Sequence, residues 1–167
     1  MSSSSSTKAY YKKISKNIEI IDIIQNYPFN IANAMKYIFR LYRKTNDFEN
    51  VFSDLKKAKY YIEKAISNGD GYIYSENSQK MMNAKNNAYH YINEFSLDTT
   101  HIPKSINDSF SVVQTIVLEL LCGNLVLENS PYGSNDYKDT YLKNITTLEV
   151  ANNIVERMIE IITEEEY

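Results

Sequence analysis

Apolar residues recur along this chain at spacings of three and four, with polar breaks between the recurrences. That period matches the 3.6-residue turn of an α-helix with one face turned inward. Ile31, Ala34, Met35, Ile38 and Tyr42 make one such stripe, predicting a helix over Ile31–Lys44. The turn-forming run TNDFEN comes next, and Val51, Leu55, Ala58, Ile62 and Ala65 make the second stripe. Asp47 or Ser53 would cap that second helix, and NGDG after Ser67 would stop it. A third helix is predicted over Ser78–Phe95, with Met81, Ala84, Ala88, Tyr91, Ile92 and Phe95 on its apolar side.

Beyond a Pro103-containing linker, Ser105–Leu127 reads as a strongly apolar helix, with Gly123 as a place to kink. Glu128–Asp139 carries loop chemistry. Tyr141–Glu165 is amphipathic, with Ile145, Leu148, Ile154, Val155, Met158, Ile161 and Ile162 inward. Near the start, Asn17–Asn26 packs five isoleucines around Glu19 and Asp22. A short buried helix with one acidic edge fits, and so much isoleucine leaves a strand as the rival. Pro28 breaks the chain, and Asn30 would cap the helix over Ile31–Lys44. The expected fold is an all-α bundle of five or six helices.

Composition narrows the picture. At 167 residues the chain suits one domain, or one domain with an appendage, and four glycines with three prolines leave room for long helices. Residues 1–16 read as a flexible Ser-rich tail, 17–96 as a helical core and 97–167 as an acidic helical extension packed on it. Residues 1–96 hold 14 Lys and Arg against 9 Asp and Glu, net +5; residues 97–167 hold 4 against 12, net −8, and together they give the net −3 of the chain. A basic half suggests an anionic ligand, or head-to-tail packing between copies of the chain. The overall negative charge weighs against a stable nucleic-acid partner of the duplex-coating kind. The lone Cys122 and the absence of a signal-like or membrane-spanning run point to a reducing cytoplasm and no membrane partner.

Several chemistries are missing from the pattern. There is no GxxxxGK[ST] P-loop, no GxGxxG, no HExxH and no Cys/His cluster. His90 and His101 lie apart from any acid–base pattern. Asn33, Lys36, Tyr37, Arg40 and Lys44 remain, falling on one arc of the first long helix at i, i+3, i+4, i+7 and i+11. Asp54, Lys57 and Tyr61 line up beside the apolar stripe of the next helix. Antiparallel packing would bring both sets to one phosphate-binding cleft. Lys and Arg hold phosphates, Asn33 would read a base edge or sugar, and Tyr37, Tyr60 or Tyr61 would stack on a base. The plain alternative is a solvated basic face in which Asp54 pairs Arg40 or Lys36.

The segment IEIIDIIQNYPFNIANAMKYIFRLYRK, continued by DLKKAKYYIEKAI, resembles a phage-encoded family sometimes labelled SaV-like. The match rests on Glu19, Asp22, Asn33, Ala34, Lys36, Tyr37, Ile38, Arg40, Asp54, Leu55, Lys57, Ala58 and Tyr61. Ala32 stands where the family has glycine, and Ala9-Tyr10-Tyr11 where it often has His-Tyr. The family includes a small bacteriophage nucleotide kinase without a P-loop. The resemblance thus implies nucleotide binding and phosphoryl transfer from a nucleoside triphosphate to a deoxynucleoside monophosphate in the infected host cytoplasm. It implies catalytic roles for Lys36, Arg40 and Asp54, and ligand binding by Asn33, Tyr37 and Lys57, to which the helical spacing adds Lys44 and Tyr61 as ligand-binding candidates. Glu19 and Asp22 would hold a Mg2+ if one is used. A non-catalytic nucleotide-sequestering protein and a helical protein-interaction module are the alternatives. Homo-oligomerisation fits all three.

Overall fold

A computed structural model of the chain describes residues 20–25, 27–43, 47–69, 78–96, 101–122 and 134–166. Within the helices, the side chains at 78–82, 84–85, 95–96 and 134–145 lie outside that description. The elements are α1 Ile20–Ile24, α2 Phe29–Phe39, α3 Phe48–Asn68, α4 Ser78–Ser96, α5 Asn107–Cys122 and α6 Ser134–Glu166. The protein is all-α, with no strand among the described residues. The isoleucine-rich start is helical at Ile20–Ile24, burying Ile20, Ile23 and Ile24. No described helix is long and apolar enough to cross a membrane.

The first two predicted stripes are buried as whole stripes. Ile31, Ala34, Met35, Ile38 and Tyr42 face inward from the α2 segment; Val51, Leu55, Ala58, Ile62 and Ala65 do so from α3. These two helices pack on each other, α6 packs along α3 and α5, and α5 also meets α2 and α4. Ala88, Tyr91 and Ile92 of α4 join the same core, as do Leu148, Val155, Met158 and Ile162 of α6. Ile154 and Ile161 are half-buried against it. Met81, Ala84, Phe95 and Ile145, predicted on these stripes, lie outside the described side chains.

Helix ends depart from the sequence pattern for identifiable reasons. α2 begins directly after Pro28, whose φ of −58° suits a helix start, and Asn30 lies inside the helix rather than capping it. α2 ends at Phe39, short of the predicted Lys44. The amide of the buried Gln114 on α5 donates to the Ile38 carbonyl at 2.8 Å, so an end-of-helix acceptor is satisfied from across the core. Tyr42 then takes a left-handed φ of 61°. Its buried ring meets Phe110 edge-on at 5.2 Å, so packing holds a backbone state that a bulky residue otherwise avoids.

α3 starts on Asp47, whose carboxylate accepts from the Glu49 amide at 3.2 Å; Ser53 is inside the helix. It stops at Gly69, in the left-handed region at φ 72°. α6 begins at Ser134 and so takes in half of the predicted polar loop. Ser, Asn and Asp open helices as readily as they make turns, and the pattern there cannot separate the two. Cys122 is buried at the end of α5, where its carbonyl accepts from the Tyr27 hydroxyl at 2.7 Å. Burial and that contact push the Tyr27 phenol well above its ordinary range.

Candidate functional site at the α2–α3 seam

α2 and α3 run antiparallel across their short connection. Arg40 pairs with Asp54, whereas Phe29, eleven residues earlier on the chain, meets Tyr61, seven residues after Asp54. The inner side of this seam is apolar, and its rim carries the polar arc.

At the closed end of the rim, Arg40 Nε and Nη2 donate to the two Asp54 carboxylate oxygens at 3.0 and 2.6 Å. Both side chains are buried, at 8% and 4% exposure. This is a bidentate, charge-assisted pair, the geometry guanidinium and carboxylate favour. Half of the solvated-face alternative is therefore realised: Asp54 does pair Arg40, but out of solvent.

One helical turn outward, cations gather on a single ring. The Arg40 guanidinium carbon lies 4.5 Å from the Tyr37 ring centre, Lys36 Nζ 4.8 Å and Lys57 Nζ 5.6 Å. Each distance is within cation–π range. The Tyr61 ring stacks on Tyr37 at 6.0 Å and 12° between planes. Tyr37 thus gathers three cations around one ring that also lies against Tyr61. Tyr61 meets Tyr60 edge-on at 5.3 Å and Phe29 edge-on at 6.0 Å.

Beside this cluster lies an open hollow of about 570 Å³ lined by Tyr37, Glu49, Phe52, Ser53, Lys56, Lys57, Tyr60 and Tyr61. The size falls within the range of small-ligand pockets. Lys56 and Lys57 are exposed, and Lys56 Nζ sits 5.1 Å from the Phe52 ring centre. Glu49, in the first turn of α3, is the hollow's carboxylate.

The residues expected from the sequence take different places around it. Tyr37, Lys57 and Tyr61 line the hollow; Lys36 and Arg40 touch it through Tyr37; Asp54 lies behind Arg40. Asn33 sits one turn back on α2, half-buried, with its side-chain amide donating to the Phe29 carbonyl at 2.8 Å. Asp22 is exposed on α1. Lys44 and Glu19 lie outside the described residues. Among those residues, no three His, Cys, Asp or Glu side chains gather where an ion could be held. Helical spacing alone does not mark Phe52, Ser53, Lys56 or Glu49 as site residues. The i, i+4 pairing of Phe52 with Lys56 is the signal that could have found two of them.

The far face of α3 is built differently. Lys59 pairs with Glu63 on its own helix and with Glu156 of α6 at 3.2 Å. The hydrogen bond from Lys59 holds the Glu63 carboxyl below the usual carboxylate range, and the same bond raises the Lys59 ammonium.

No curated protein and no solved structure matches the chain. Residues 7–63 match a family described as a protein of unknown function, DUF3310, and that span takes in α1, α2, most of α3 and every residue that lines the hollow.

Proposed function

We propose that the α2–α3 hollow binds a nucleotide, and that the protein is a phage nucleotide-handling enzyme. It would move the γ-phosphoryl group of a nucleoside triphosphate to a deoxynucleoside monophosphate. The observation that carries this reading is the convergence of Lys36, Arg40 and Lys57 on the Tyr37 ring at the edge of an aromatic-lined hollow. Ammonium groups beside rings suit a ligand that is part phosphate and part base. The family match over α1–α3 falls on the same helices as the resemblance to the phage family.

In this mechanism Lys56 and Lys57 take the phosphates, and Tyr60 and Tyr61 border the base. An oxygen of the acceptor's phosphate attacks the γ-phosphorus, and the nucleoside diphosphate leaves. The chain's contribution is positioning and neutralisation of negative charge. Arg40 and Asp54 hold each other, so their part is to fix Tyr37 and the seam rather than to touch the reacting atoms.

A second reading, a binder that sequesters a nucleotide without turnover, is favoured by that same closed pair. Thermal melting against mono-, di-, tri- and cyclic nucleotides, with and without magnesium, tests the shared premise. A ligand at a hundred times its Kd stabilises the folded chain by about 2.7 kcal/mol. A panel with no shift would remove both readings and favour a protein-interaction module. A shift with no diphosphate formed would select the sequestering protein.

A further inference from the structure

Two aromatic rings beside the hollow are exposed to a degree that packing does not explain. Phe29 is 72% and Tyr60 54% exposed. They lie on different helices, and each meets the same third ring, Tyr61, edge-on. Their centres are 6.0 and 5.3 Å from that of Tyr61, so their separation cannot exceed the sum of those two distances. Of the pair, Tyr60 lines the hollow and Phe29 stands outside it.

An ammonium group accompanies Tyr60. Lys64 Nζ lies 5.7 Å from the Tyr60 ring centre, one turn beyond the hollow. Lys57 Nζ lies over Tyr37, the ring that stacks on Tyr61. A single nucleotide has one base and needs one platform. Two exposed platforms that share one ring, with Lys64 beside Tyr60 and Lys57 over Tyr37 in the same seam, match a ligand that repeats base and phosphate.

We propose that Phe29 and Tyr60 are paired base-stacking platforms, so that this face takes a short single-stranded oligonucleotide of at least two linked nucleotides. The inference rests on the nucleotide reading of the hollow and extends it along α3. Stacking on exposed rings with Lys beside the backbone is the usual way proteins hold single strands without reading sequence. The chain's net charge of −3 weighs against coating a duplex, but this face is locally cationic: Lys56, Lys57 and Lys64 are exposed on it against Glu49. Glu63, beside Lys64 in sequence, is held by Lys59 toward α6.

The test is fluorescence anisotropy with labelled dT2, dT3 and dT6 and their uridine counterparts, competed by TMP and dTTP. Wild type, Phe29→Ala, Phe29→Tyr and Lys64→Ala proteins are compared. The trinucleotide should bind at least tenfold more tightly than TMP. Phe29→Ala should weaken it roughly tenfold, in line with the loss of one stacked base, and leave TMP unchanged; Phe29→Tyr should restore it. Lys64→Ala should weaken the trinucleotide and flatten its salt dependence, because one phosphate contact is lost. The deoxy and ribo arms decide which sugar is preferred.

A trinucleotide that binds no better than TMP would overturn the proposal while leaving the mononucleotide site standing. So would Phe29→Ala binding both ligands like wild type, or Lys64→Ala weakening dTTP as much as the trinucleotide. Failure of every arm would remove the nucleotide reading along with this one. Phe29 and Lys64 are both exposed, which keeps the substitutions clear of the core, and a melting curve for each variant checks that the fold is intact.

Discussion

The two long faces of α3 treat the same residue type in opposite ways. On the α6 side, Lys59 is engaged by Glu63 and Glu156. On the α2 side, Lys56, Lys57 and Lys64 lie beside Phe52, Tyr37 and Tyr60 instead. Part of the difference lies within α3, which carries Glu63 beside Lys59 but Phe52 and Tyr60 beside Lys56 and Lys64. The neighbours add to it, α6 with the Glu156 carboxylate and α2 with the Tyr37 ring and its cations. A carboxylate partner neutralises an ammonium group; a ring orients it and leaves its charge in place. Helix α3 is therefore fastened on one side and chemically open on the other, and the seam's own carboxylate, Asp54, is used up on Arg40.

That last point gives the largest expected effect. Asp54→Ala should cost about 3–5 kcal/mol, because it strands a buried guanidinium. The double change Arg40→Met with Asp54→Leu should recover most of the loss, since neither charge is then buried alone. Urea denaturation measures both. An Asp54→Ala protein as stable as wild type would mean that Arg40 is not locked, and would return it to the groove as a ligand for phosphate.

Much of the fold was legible because its core is periodic. The stripes Ile31–Ile38 and Val51–Ala65 predicted α2 and α3, and Gly69 marked the end of α3. The end of α2 was not legible. It depends on Gln114 reaching the Ile38 carbonyl and on Tyr42 meeting Phe110, both contacts between residues far apart in the sequence. The site was legible as an arc but not as a hierarchy. Helical spacing put Lys36, Tyr37 and Arg40 together, yet only packing shows Arg40 buried on Asp54 and Tyr37 surrounded by cations. Phe52 and Lys56 lay on a neighbouring row of α3, outside the line defined by Asp54, Lys57 and Tyr61.

A matched pair of substitutions sharpens the contrast between the faces at intermediate scale. Lys57→Ala should lower nucleotide affinity roughly tenfold, about 1.4 kcal/mol, with little change in melting temperature. Lys59→Ala should leave affinity alone and cost at most about 1 kcal/mol of stability, as a partly exposed ion pair does. Isothermal titration and thermal melting of the two proteins side by side make the comparison. Equal effects from both on binding would mean that the ligand does not distinguish the faces.

The smallest effect tests the fastened face alone. Glu63 has its carboxyl held below the usual range, first by the hydrogen bond from Lys59. A carboxylate that ionises more readily in the folded chain stabilises it above the unfolded pKa, here near 4.5. That contribution fades as pH falls through the lower, folded value. Wild type should therefore lose more stability than Glu63→Gln between pH 6 and pH 3. Glu63 is half-exposed, so water screens the pair and the difference should be only a few tenths of a kcal/mol, roughly one degree in melting temperature. Calorimetry at the two pH values resolves it. Parallel acid curves for the two proteins would mean that Lys59 is held chiefly by Glu156, and that the bond fastening α3 to α6 lies between helices rather than within one.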